Sequence, residues 1–163
     1  MSRGVGMMAK AKSAGLLMYR IKDEGLQVLA VHPGGPYWAK KDAGSWFVPK
    51  GEIEAGEDEL SAAKREFQEE TSISPAGPFV DLGEVAHKSG KRVRAWAFEG
   101  DCDPGTIVSN TFEMEWPPKL GKEQSFPEID RAEFMNSARA QEKLHPVEYE
   151  FVERLRAALD IGE

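Results

Sequence analysis

Two short apolar runs, "SAGLLMYRI" and "LQVLAVHP", flank the polar turn Lys22-Asp23-Glu24-Gly25, a spacing that predicts a β-hairpin. The following "HPGGPYWAKKDAGS" breaks regular structure with Pro33, Gly34, Gly35 and Pro36, and "WFVP" then reads as a brief strand ended by Pro49. A helix is predicted from about Asp58 to Thr71, with Leu60, Ala63 and Phe67 on its core-facing stripe. "PFVDLGEVAHKS" and "KRVRAWAFEGD" alternate about a Ser89-Gly90 turn and predict two antiparallel strands. Val93, Ala95 and Ala97 share one face of the second; Arg94, Trp96 and Phe98 share the other. Thr106 to Gln124, rich in Pro, Gly and Trp, reads as irregular, and Glu128 to Phe134 as a short last strand or turn. A closing helix runs from about Pro146 to Leu159, with Val147, Phe151, Leu155 and Leu159 at helical spacing. These elements interleave without the regular alternation of a doubly wound parallel sheet. The expected class is α/β, a mixed sheet with helices on its faces. Residues 1–11 read as a flexible basic tail before a single domain over 12–163.

Composition narrows the partners. The chain has 163 residues, 40% of them apolar and 30% charged, as in a soluble globular domain. A net charge of -7 argues against broad binding to a nucleic-acid backbone. Apolar runs such as Ala14 to Tyr19 are too short to span a bilayer, and "MSRGVGMMAKAK" has no following apolar segment of signal-peptide type. The lone Cys102 leaves no intrachain disulfide and no cysteine-based zinc cluster, and its Gly/Pro-rich surroundings make it an unreactive thiol. The expectation is a cytoplasmic protein, monomeric or homodimeric, without membrane or nucleic-acid partners.

The first helix carries the candidate chemistry. Glu66 and Glu70 lie one turn apart on one side and Glu69 joins them from the adjacent row, while the small Ala62 lies near this face. Like charges at this spacing repel, and Arg65 partners only part of them. A divalent cation removes the conflict, and oxygen ligation without His or Cys selects Mg²⁺ or Mn²⁺. Composition and spacing stop at an oxygen-ligated metal site on a helix.

Gly51, Glu57, the run "REFQEE" from Arg65 to Glu70, and Ile73 together resemble the Nudix box, the signature of the Nudix hydrolases. Ser72 stands where the family has Gly. The resemblance implies the family's α/β/α sandwich and hydrolysis of a nucleoside diphosphate linked to another moiety. It makes Glu66, Glu69 and Glu70 metal ligands, with the Lys50 carbonyl a further ligand and Glu57 assisting. Arg65 becomes an organiser of these carboxylates, and Gly51 allows a tight turn into the site.

"PKG" before the box, preceded by Trp46, is similar to the branch typified by diadenosine tetraphosphate hydrolases. In that resemblance Lys50 also contacts phosphate. Tyr37, Trp38 and Trp116 either stack on a base or cover core edges, and Lys40 and Lys41 either supply local positive potential or form a solvated pair. His87 reads as structural rather than catalytic. The segment "GKEQSFPEID" resembles the loop that supplies a late glutamate in the family's nucleoside triphosphatases, which points to Glu123 as the base, with Glu113 and Glu115 as competitors. The substrate classes left open are dinucleoside polyphosphates, nucleoside triphosphates and nucleotide sugars. A non-catalytic nucleotide-binding module and a metal-dependent isoprenoid diphosphate isomerase are the remaining readings.

Overall fold

The computed structural model describes residues 12–23 and 25–162. The proposed tail, 1–11, lies outside them. Strands β1 (Lys12–Lys22) and β2 (Gly25–Pro33) pair antiparallel with Tyr19 opposite Val28, which is the expected hairpin. The N-terminal part of β1 pairs instead with β3 (Lys50–Glu52), Ala14 opposite Gly51. "WFVP" is not a strand: Trp46 and Phe47 make only isolated bridges, to Leu144 and Val31, and the pairing resumes after Pro49. Proline lacks the N–H that a continuous ladder requires.

Helix α1 (Glu59–Thr71) follows, then β4 (Val80–Ala86) and β5 (Arg92–Glu99), which pair antiparallel. β5 runs parallel to β1 from Lys12↔Arg92 to Tyr19↔Glu99. Strands β6 (Thr111–Glu115) and β7 (Glu123–Pro127) form a separate two-stranded sheet, where the sequence suggested irregular chain. Each has only a short alternation, and a long Pro-containing connection hides their pairing. β8 (Ile129–Asn136) is a full strand against β2 and completes the order β4-β5-β1-β2-β8, with β3 also on β1. Helices α2 (Ser137–Lys143) and α3 (Pro146–Ala158) end the fold.

The mixed sheet is buried on both faces. Ala14, Leu16, Met18, Leu29, Trp96 and Phe98 pack with Ala62, Ala63 and Phe67 of α1. On the other face Leu17, Val28, Ala30, Val93, Ala95 and Ala97 pack with Leu144 and with Phe151, Val152 and Leu155 of α3. The result is the expected α/β/α sandwich. Ala62 is wholly buried, so its small size serves the approach of α1 to the sheet rather than of a ligand. No helix among the described residues is long and apolar enough to cross a membrane.

Candidate active site

Asp58 caps α1 by accepting from the Ser61 N–H at 3.0 Å and from the Ser61 hydroxyl at 2.7 Å. The helix ends at Ser72, whose φ of 68° is the left-handed geometry that Gly adopts without strain. Packing of Ala62, Ala63 and Phe67 against the sheet sets the rotation of α1, which turns Glu66 toward Gly51 of β3.

Arg65 is the hub of this face. Its Nε and Nη2 donate to both oxygens of Glu57 at 2.8 and 3.0 Å, a forked pair, and Nη2 also reaches the Glu52 carbonyl at 3.1 Å. Nη1 donates to Glu66 at 2.9 Å and lies 3.4 Å from each oxygen of Glu69. Gly51 is in β3 rather than in a turn. A Cβ there would stand 1.9 Å from the Glu66 carboxylate, so the residue is Gly because the carboxylate crosses directly over the strand.

The carboxyls behave as a crowded set. Burial pushes Glu70 up to about 8; Lys50 opposes this, while the charges of Glu66 and Glu128 reinforce it. Glu66 is raised by burial, with Arg65 opposing and Glu69 and Glu128 adding repulsion. Glu128 is raised by burial and then by Glu69. Among the described residues no three such side chains stand in ready-made metal-ligand geometry, and Arg65 pairs with Glu57, Glu66 and Glu69. The donor set still fits a hard cation: several carboxylate oxygens, mutually repelling, beside a strand whose backbone comes close at Gly51.

Glu128 escaped the sequence reading. It is the single residue between β7 and β8, with its N–H donating to the Asn110 carbonyl at 2.9 Å, while the Asn110 N–H donates to the Glu69 carbonyl at 3.2 Å. This relay ties the connection to α1. Glu123 lies instead at the far end of β7, exposed and opposite Glu115. Glu113 is likewise exposed, and the structure brings none of the three to the α1 carboxylates.

Three cavities meet here. The first, of about 380 Å³, is walled by Gly34, Gly35, Tyr37, Trp38, Phe112 and Met114, with Glu128 on its rim. The second, of about 140 Å³, contains Lys50, Glu70 and Glu128. The third, of about 390 Å³, is lined by Trp38, Phe47, Lys50, His87, Lys91 and His145. Trp38 borders the first and third, Glu128 the first and second, and Lys50 the second and third. Tyr37 packs edge-on against Trp116 at 5.6 Å, Trp38 against Phe47 at 5.6 Å, and Lys41 lies 4.9 Å from the Trp38 ring. Lys40 is exposed on the same loop.

Glu148 also went unnoticed in the sequence, having only helical spacing to mark it. It is wholly buried, accepts from the Val48 N–H at 2.9 Å, and lies 3.0 Å from both Lys50 Nζ and His87 Nε2. Burial opposes its ionisation, but the Lys50 charge and these hydrogen bonds hold it well below the usual carboxylate range. His87 is thus fastened to a core carboxylate. The Cys102 thiol is half-buried and pushed up by burial, in keeping with an inert role.

The NUDIX domain family model matches residues 9–155, and the chain belongs to that family. No curated protein matches it. Among solved structures it is similar to a C. elegans Ap4A hydrolase in a binary complex, at 19% identity and a TM-score of 0.61, over 91% of this chain and 98% of that one. It is also similar to the NUDIX domain of Shewanella oneidensis NrtR complexed with ADP ribose, at 15% identity and a TM-score of 0.62, over 98% and 99%. A third is the MutT protein of Methanosarcina mazei Go1, at 19% identity and 0.60, over 93% and 96%. At these identities the likeness concerns the fold.

Proposed function

We infer that the chain is a metal-dependent pyrophosphohydrolase, one Nudix domain from residue 12 onward. Its substrate on this reading is a nucleoside diphosphate derivative with further phosphate groups, such as a dinucleoside polyphosphate or a nucleoside triphosphate. The observation that carries this is that three neighbouring cavities, an aromatic slot, a carboxylate centre and a cationic recess, share lining residues, with Trp38, Glu128 and Lys50 each bordering two of them. A base stacks beside Tyr37 and Trp38, the scissile linkage lies over the carboxylates, and remaining phosphates face Lys50 and Lys91. A nucleotide sugar would leave the cationic recess facing an uncharged group, which makes it the second choice.

Glu66, Glu69, Glu70 and the Lys50 carbonyl would hold Mg²⁺ or Mn²⁺, with Glu57 assisting. The cation supplies neutralisation of the pyrophosphate oxygens and acidification of water. Glu128 accepts the proton of the attacking water, a role for which its place beside Glu69 and Glu70 suits it better than the distal Glu123. Arg65 keeps Glu57, Glu66 and Glu69 aimed at one point. Lys50, oriented by Glu148, places its ammonium against phosphate. All these carboxylates being present speaks against a purely binding module.

Glu69→Gln tests the reading. Turnover on diadenosine tetraphosphate and on nucleoside triphosphates should fall on the order of 10²–10³-fold, with the Mg²⁺ dependence moved to higher concentration. Unchanged turnover and Mg²⁺ dependence would overturn it.

A further inference from the structure

His32 stands at the end of β2, at the start of the loop that carries Tyr37 and Trp38, and is wholly buried. Its Nδ1 lies 2.8 Å from Asp130 Oδ1 on β8, and its Nε2 lies 2.7 Å from the Lys41 carbonyl at the far end of that loop. A carbonyl oxygen only accepts, and so does an ionised carboxylate. Both contacts are therefore hydrogen bonds only when the ring donates from both nitrogens. A neutral imidazole has one N–H and would leave a lone pair facing an acceptor in a low-dielectric interior. The ring also packs edge-on against Trp46 at 5.3 Å, and the Trp46 indole N–H donates to Asp42 at 2.8 Å.

We propose that His32, donating from both ring nitrogens, acts as a positioning residue. It fastens the two ends of segment 32–41 to each other and to β8, and so fixes Tyr37 and Trp38 in the conformation that receives the nucleobase. The inference rests on the reading of that loop as substrate-binding. Asp130 lies two residues beyond Glu128, so the same bond ties the aromatic wall to the strand that follows the proposed base. Loss of either partner removes one of the two bonds. The loop then spends less time in the receiving conformation, and apparent affinity falls by that fraction. The charged groups packed around the pair are Asp130 and Arg131 of β8, with Asp42 and Lys143 paired beside Trp46 and Arg131 over its ring. Among them Asp130 alone is hydrogen-bonded to the His32 ring.

The chemistry distinguishes two substitutions of the partly exposed Asp130. Asp130→Ala removes the acceptor and leaves Nδ1 without a partner. Asp130→Asn offers an amide that donates to Nδ1, so a neutral ring keeps both bonds. Asp130→Ala should raise KM for the nucleotide roughly tenfold with kcat within about twofold. Asp130→Asn should restore KM. Two readouts do not depend on activity. Long-range ¹H–¹⁵N correlation of the histidine rings should show both His32 nitrogens as donors in the wild type and one in Asp130→Asn. Backbone amide exchange over 34–41 should quicken in Asp130→Ala and not in Asp130→Asn. A neutral His32 tautomer in the wild type, or Asp130→Ala with unchanged exchange and KM, overturns the proposal. A wild type that hydrolyses no nucleotide would instead defeat the proposed function, with the ring spectrum and the exchange rates still deciding the role of His32.

Discussion

The backbone of Gly51 and the carboxylate of Glu66 are so close that a Cβ at position 51 would fall 1.9 Å from the carboxylate. No rotamer of Ala avoids that overlap, because Cβ is fixed by the backbone. Gly51→Ala must therefore push Glu66 off the face that Arg65 organises. The expected outcome is a folded protein, its sheet visible by circular dichroism, with turnover lower by roughly 10²-fold, the scale of a misplaced group of about 1 Å. Normal turnover would mean that the position of Glu66 is not needed.

Glu128 and Glu123 make opposite forecasts. Glu128 interacts with Glu69, Glu66 and Glu70, whereas Glu123 faces Glu115 at the distal end of the hairpin. Glu128→Gln should cut turnover roughly 10²-fold or more, in the range of lost acid–base help, while Glu123→Gln should stay within about threefold of the wild type. Parallel steady-state assays of the two variants decide between them.

Ser72 carries two opposing contributions. Its left-handed backbone costs about 1 kcal/mol relative to Gly, and its hydroxyl donates to the Val108 carbonyl, a bond worth about 1 kcal/mol or less at an exposed site. Ser72→Gly should leave stability within about 0.5 kcal/mol. Ser72→Ala keeps the strain and loses the bond, so it should be the less stable of the two. Urea midpoints of the three proteins check the ordering.

Asp42 gives a pH signature away from the carboxylates. Its carboxyl is held at about 2 by the Lys143 ammonium first and then by the Trp46 indole N–H. A depressed carboxyl contributes stability above its unfolded value of 3.8, and that contribution is lost as pH falls through about 2. Asp42→Asn should lower the denaturation midpoint at neutral pH and flatten the fall in midpoint across this acid window. A fall as steep as that of the wild type would contradict the assignment.

Much of this site was legible in the sequence because α1 is long and strongly patterned. Phe67 inward and Glu66, Glu69 and Glu70 together follow from helical spacing, and Ser72 stood out against the family pattern. What escaped depends on tertiary pairing. The seven residues of α2 bury Ala140 and Lys143, too little for a period to show. β6 and β7 are strands because they pair across a long connection. Glu128 matters only because β8 joins the sheet edge beside β2, and the requirement for Gly at position 51 appears only once Glu66 lies over it. His32 reads as an ordinary inward residue of β2 until Asp130 and the Lys41 carbonyl are brought to its two nitrogens.

The central claim is that these carboxylates serve a cation-dependent attack on a pyrophosphate linkage. The most direct measurement is hydrolysis of dinucleoside polyphosphates, nucleoside triphosphates and nucleotide sugars by the purified protein, with Mg²⁺ and with excess chelator, the products identified by mass spectrometry. The account expects Mg²⁺-dependent cleavage within the phosphate chain, fastest for substrates with more than two phosphates, and none in chelator. Equal cleavage in chelator, or no cleavage of any of these with Mg²⁺, would contradict it.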